Sequence, residues 1–106
     1  MKPILLFLLL TSLYLDASDL SYPKKTILID VRTRSEYDVG HLKDAILIPF
    51  DKVAKGVTDL ALPLDTKIYL YCRSGKRAQK ALHTLKEIGY ETVINIGSLE
   101  NALKNK

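Results

Sequence analysis

Four short runs of apolar and β-branched residues recur along this chain, and turn or helix signals separate them. They are residues 26–29 (Thr-Ile-Leu-Ile), 45–48 (Ala-Ile-Leu-Ile), 67–71 (Lys-Ile-Tyr-Leu-Tyr) and 92–96 (Thr-Val-Ile-Asn-Ile). Runs of this length suit strands buried on both faces and are too short for buried helices. Pro49 stops the second run, and Pro63 with Asp65 marks a turn before the third. Residues 35–39 read as one or two helical turns, with Ser35 as N-cap and Gly40 as the stop. Residues 51–60 are polar with a weak helical pattern. The clearest helix is 76–88, where Ala78, Ala81, Leu82, Leu85 and Ile88 recur at the spacing of one buried face, and Gly89 supplies the stop. Ser98 reads as the N-cap of a last short helix through Leu103. Strands alternating with helices predict βαβ units and a mainly parallel sheet, hence an α/β fold. Sites in such sheets form beyond the carboxyl ends of the strands. Cys72 stands at such an end, directly before the clearest helix.

Composition narrows the chemistry. A length of 106 residues allows one domain, and 47% apolar residues suit a packed core. A single Cys excludes an intramolecular disulfide and a C-x-x-C zinc or redox pair. Sixteen Lys and Arg against twelve Asp and Glu give a net charge of +4, which fits small anionic partners better than nucleic acid. His41 and His83 lack clustered acids and make a poor metal site. His41 reads as structural, and His83 as lying at the edge of the long helix's buried face. Tyr69 and Tyr71 alternate with Ile68 and Leu70 as in ordinary strand packing.

The chain opens with Lys2 and a short apolar run over residues 4–15, broken by Thr11 and Ser12, with Asp16 and Ala17 after it. One positive charge, a short apolar core and a small residue at the cleavage position form the pattern of a secretory signal peptide. The expected division is residues 1–17 as signal peptide and 18–106 as one domain. Cleavage removes Lys2 and Asp16 together, so the charge stays at +4. The expected address is exported, a bacterial periplasm, with no stable membrane span after cleavage.

The segment Cys72-Arg73-Ser74-Gly75-Lys76-Arg77 carries the chemistry. Backbone N–H groups at a helix start are unpaired and make an anion site together with the helix dipole. Gly75 lets the loop turn tightly. Arg73, Lys76 and Arg77 add three positive charges, and Glu87 is the only acid between Cys72 and Gly89. Helix starts with basic neighbours stabilise thiolates. Two pKa units of such stabilisation take only about 2.7 kcal/mol. Cys72 is therefore expected to be a nucleophile rather than a small core residue, and a thiolate prepared by its loop needs no general base.

These residues resemble the rhodanese (thiosulfate sulfurtransferase) family. Leu28-Ile29-Asp30-Val31-Arg32 matches its strand-ending Asp-Val-Arg signature. Glu36-Tyr37, Gly40-His41-Leu42, Ala45 and Ile48-Pro49 match the stretch that follows. The strand and loop from Ile68 to Ala78 resemble the family's active-site loop, and Gly89-Tyr90 through Val93 to Gly97 its closing strand. Asp44 stands where the family usually has Gly, and Ser98 where a second Gly is usual. Size and leader look most like the small exported members of the phage shock protein E type. The resemblance implies a rhodanese-like α/β fold, a parallel sheet ordered 4-3-1-2 with helices on both faces. It implies that Cys72 becomes a persulfide cradled by the backbone of Arg73, Ser74, Gly75, Lys76 and Arg77. Arg73 and Lys76 then hold an anionic donor such as thiosulfate. Asp30 and Arg32 brace the floor, with Glu36 as an ion-pair partner. It implies no metal or organic cofactor and passage of sulfur to cyanide or another thiophilic acceptor; a monomer is expected, with a dimer disulfide-linked through Cys72 left as the alternative. The alternative is a non-catalytic module that carries sulfur for a partner protein. Phosphatase chemistry ranks lower, because Cys72 to Arg77 is C-x4-R, one residue shorter than the C-x5-R loop that encircles phosphate, and position 78 is Ala.

Overall fold

The computed structural model describes residues 26–104; the expected signal peptide lies outside them. In chain order the elements are β1 (Thr26–Asp30), α1 (Arg34–Val39), β2 (Ile46–Leu47), a 3-10 turn (Phe50–Lys52), α2 (Val53–Asp59), β3 (Lys67–Cys72), α3 (Lys76–Glu87), β4 (Val93–Ser98) and α4 (Leu99–Lys104). The four strands form one parallel sheet in the order β2-β1-β3-β4, which is the expected order read from the other edge.

Strand periodicity sorts the side chains onto two faces. Ile29, Val31, Ile68, Leu70 and Cys72 point to the face covered by α2 and α3, where Val53, Val57, Ala78, Ala81 and Leu85 close the larger core. Tyr71 points to the opposite face and packs with Leu42, Ala45 and Ala102, beside Tyr37 of α1 and Leu99 of α4. From β1 the chain goes to β2 on one side, and it returns to β3 on the other. The carboxyl ends of β1 and β3 therefore sit together where the strand order reverses, the place where open α/β sheets form sites.

Several local expectations need correction. The N-cap of α1 is Thr33, not Ser35. Thr33 Oγ1 accepts the Glu36 N–H at 3.3 Å while Glu36 Oε1 accepts the Thr33 N–H at 3.0 Å, a reciprocal capping box. Gly40 does end α1, but in an extended conformation (φ 169°) rather than a left-handed one. Ile88 lies past the last residue of α3 and is 42% exposed, so it leaves the buried face. His83 is exposed rather than at the edge of the core. Asp44 takes the left-handed conformation (φ 66°) and lets Ala45 N–H donate to Leu42 O at 3.0 Å, so the turn forms without glycine. Ser98 caps α4 as expected, accepting the Asn101 N–H at 3.0 Å.

Candidate active site

β3 is one of the two inner strands, and its period places Cys72, in phase with Ile68 and Leu70, on the face covered by α3. Three residues then turn the chain into the helix. Gly75 is the N-cap, with φ 95° and ψ −13°. That left-handed φ favours glycine, and a Cβ there would stand 3.4 Å from Gly97 Cα. The turn brings the Gly75 N–H back onto the sulfur, donating to Cys72 Sγ at 2.9 Å. Cys72 is a free thiol with none of its surface exposed. The N-cap amide of α3 thus donates to the sulfur at the positive end of the helix dipole.

The loop cations divide into two kinds. Arg73 and Lys76 are exposed and form no ion pair among the described residues. Arg77 is committed. Its Nη1 and Nη2 donate to Glu36 Oε1 and Oε2 at 2.8 and 3.0 Å, a bidentate pair tying α3 to α1. The Arg77 hydrogen bonds, followed by that from the Thr33 N–H, pull the Glu36 carboxyl down to about 2. The same carboxylate pushes Arg77 above its ordinary range, with a smaller upward push from Cys72.

A buried polar floor lies at the end of β1. Asp30 is fully buried and accepts from Arg32 N and Nε at 2.9 Å and from Arg32 Nη2 at 2.7 Å. Arg32 Nη2 also donates to Gly40 O at 2.7 Å. The Tyr71 hydroxyl donates to Asp30 Oδ2 at 2.8 Å and accepts the Leu42 N–H at 3.0 Å. Burial pushes the Tyr71 hydroxyl up to about 12. Hydrogen bonding to Asp30 raises Arg32. A buried pair so fully bonded fixes geometry; losing one partner costs about 3–5 kcal/mol because the other charge is stranded. Above this floor an open cleft of about 540 Å3 is lined by Arg32, Glu36, Arg73, Val39, Leu99 and Leu103, among others. Among the described residues that line it, Arg32 is held in an ion pair with Asp30 and Arg73 is the cation outside such a pair.

The structure therefore brings together Cys72 with Gly75, Glu36 with Arg77, and Asp30 with Arg32. It leaves Arg73, Ser74 and Lys76 on the exposed rim. His41 lies outside this group: its ring stacks on Tyr37 at 3.6 Å and its Nδ1 meets Tyr37 O at 2.9 Å, a structural setting. Three contributors went unread in the sequence. Thr33 was signalled by the Thr-x-x-Glu spacing to Glu36. Asn95, whose Nδ2 donates to Gly75 O at 3.0 Å, was signalled by a polar residue inside an apolar strand. The Tyr71 hydroxyl had no signal, because alternation alone accounts for a tyrosine there.

Comparisons with known proteins point to one family. A family model described as Rhodanese-like domain matches residues 15–104. Similar curated proteins include the adenylyltransferase and sulfurtransferase uba4 of Ogataea parapolymorpha, 38% identical over 77 residues, covering 73% of this chain and 20% of that protein. The tRNA uridine(34) hydroxylase of Escherichia fergusonii is 38% identical over 84 residues, covering 74% and 24%. The putative sulfur carrier protein YrkF of Bacillus subtilis is 35% identical over 69 residues, covering 65% and 36%. The chain thus spans about a fifth to a third of these relatives' length. Among solved structures, a rhodanese with anions from E. coli superposes with a TM-score of 0.69 at 30% identity, covering 72% of this chain and 89% of that one. A rhodanese-like domain protein from Staphylococcus aureus gives 0.64 at 26% identity, covering 80% and 81%. By sequence match, sheet order and the loop around its one cysteine, this chain belongs to the rhodanese-like family.

Proposed function

We propose that the chain is a sulfurtransferase that moves sulfane sulfur from thiosulfate to cyanide or another thiophilic acceptor through a persulfide on Cys72. The observation that carries this reading is the Gly75 N–H aimed at Cys72 Sγ at 2.9 Å at the head of α3. The Cys72 thiolate attacks the outer sulfur of thiosulfate. A new S–S bond forms, the old one breaks, and its electron pair leaves with sulfite. Cyanide carbon then attacks the outer sulfur of the persulfide. Thiocyanate leaves, and the electron pair of the broken bond returns to Cys72 as thiolate. Each step exchanges one sulfur bond for another, so no external oxidant or reductant enters. Arg73 and Lys76 hold the anionic donor. The backbone of residues 73–77 cradles the terminal sulfur, and Asp30, Arg32 and Glu36 keep the surrounding elements in register. The apolar run over residues 4–15 and Ala17 support export to a periplasm, with the mature chain starting at Ser18.

One observation favours a second reading, a module that carries sulfur for a partner without turning over small molecules. Cys72 has no exposed surface, so a donor reaches it only as the residues packed over the sulfur move aside. Thiocyanate production from thiosulfate and cyanide separates the two. Turnover by the purified chain, abolished in Cys72→Ala, is the expected result. No turnover with Cys72 confirmed reduced overturns the enzyme in favour of the carrier.

A further inference from the structure

Between Leu70 and Cys72 the register of β3 with β4 shifts, and β4 runs one residue longer over that stretch. Leu70 faces Asn95 while Cys72 faces Ser98, so three steps on β4 answer two on β3. The surplus is absorbed where Gly97 takes φ 89°. Asn95 holds this bulge, because its Oδ1 accepts the Gly97 N–H at 2.8 Å in an Asx turn. The same side chain also reaches the other way. Its Nδ2 donates to Gly75 O at 3.0 Å and to Gln79 Oε1 at 3.0 Å. Gly75 O also accepts the Gln79 N–H at 3.0 Å. The carbonyl of Gly75 is thus held from two sides while its N–H bonds Cys72 Sγ.

We propose that Asn95 is a positioning residue for the sulfur chemistry of Cys72: it ties the β4 bulge to the Gly75 carbonyl and so fixes the aim of the Gly75 N–H. The inference rests on the reading of Cys72 as a thiolate nucleophile. Glycine visits both signs of φ freely, so its own chemistry does not keep Gly75 at φ 95°. A hydrogen bond to a charged acceptor is strong only while well aligned. Asparagine suits the post, with an acceptor for the bulge and two amide hydrogens for Gly75 and Gln79. Bulges beside active sites re-aim nearby groups. Here the group re-aimed belongs to a neighbouring loop, and the carboxamide is the link.

The test compares the rate of Cys72 alkylation by iodoacetamide against pH in the full chain, in Asn95→Ala and in Asn95→Ser. A serine hydroxyl at this position accepts the Gly97 N–H and preserves the bulge, but it is too short to reach Gly75 O. Both variants are expected to move the profile to higher pH by about one unit, part of the worth of a hydrogen bond to a charged group. Thermal melting establishes that Asn95→Ser is folded. A purely structural role lowers the melting temperature and leaves the profile at its wild-type position, and that result in a folded variant overturns the proposal. Failure of the underlying reading looks different. The wild type itself then titrates at the ordinary thiol value of about 8.5, and both fall together.

Discussion

The Tyr71 hydroxyl donates to Asp30 at 2.8 Å and accepts the Leu42 N–H at 3.0 Å, so two groups depend on one buried oxygen. Removing it leaves Asp30 short of a donor and the Leu42 amide short of an acceptor. Tyr71→Phe is expected to cost about 1–3 kcal/mol in urea unfolding, the penalty of unsatisfied buried groups. A loss below about 0.5 kcal/mol would show that both groups find other partners. This role is invisible in the sequence. Tyr69 and Tyr71 alternate with aliphatics in the same strand, and nothing in that pattern tells the residue that bonds a buried carboxylate from the one that only packs. The Cys72 loop stands out in the sequence for the opposite reason: a glycine and three cations follow the cysteine within five residues.

At the scale of the element, two helices end in the same hydrogen-bonded motif with different residues at its left-handed position. After α3, Gly89 N–H donates to Lys86 O and Tyr90 N–H to Leu85 O, each at 3.1 Å. After α2, Ala61 N–H donates to Thr58 O at 2.9 Å and Leu62 N–H to Val57 O at 3.3 Å. Gly89 takes φ 114° without penalty, whereas Ala61 at φ 53° sets its Cβ against the backbone. Ala61→Gly is expected to stabilise the protein by about 0.5–1 kcal/mol, and Gly89→Ala to destabilise it by a similar amount, both read by thermal melting. A loss of stability in Ala61→Gly would contradict the argument. The strands were legible because buried parallel strands read as continuous apolar runs. The β4 bulge was not, since one extra residue leaves no mark in hydropathy. The α1 cap was misread because Ser35 and Thr33 are both good caps by type, and only the spacing to Glu36 separates them.

At the scale of the whole molecule, the links between elements also set the pH range of the fold. Glu36, which joins α1 to α3, is lowered from 4.5 to about 2. Its contribution is complete above about 4.5 and is lost as pH falls toward 2. Tyr71, which joins β3 to the floor, is raised from 10 to about 12, so its contribution is complete below 10 and is lost as pH rises toward 12. Melting temperature against pH should therefore descend in both windows. Glu36→Gln should make the acid descent shallower, and Tyr71→Phe the alkaline one. Unchanged slopes would mean that other groups set these limits. The burial of Cys72 has a consequence of a different kind. Two chains joined through this residue would need their Cα atoms within about 7 Å, closer than a fully buried sulfur allows. Air should therefore leave the protein free of covalent dimers on a non-reducing gel, and a dimer band absent from Cys72→Ala would refute this. The burial that encloses the sulfur also keeps it from its own copies.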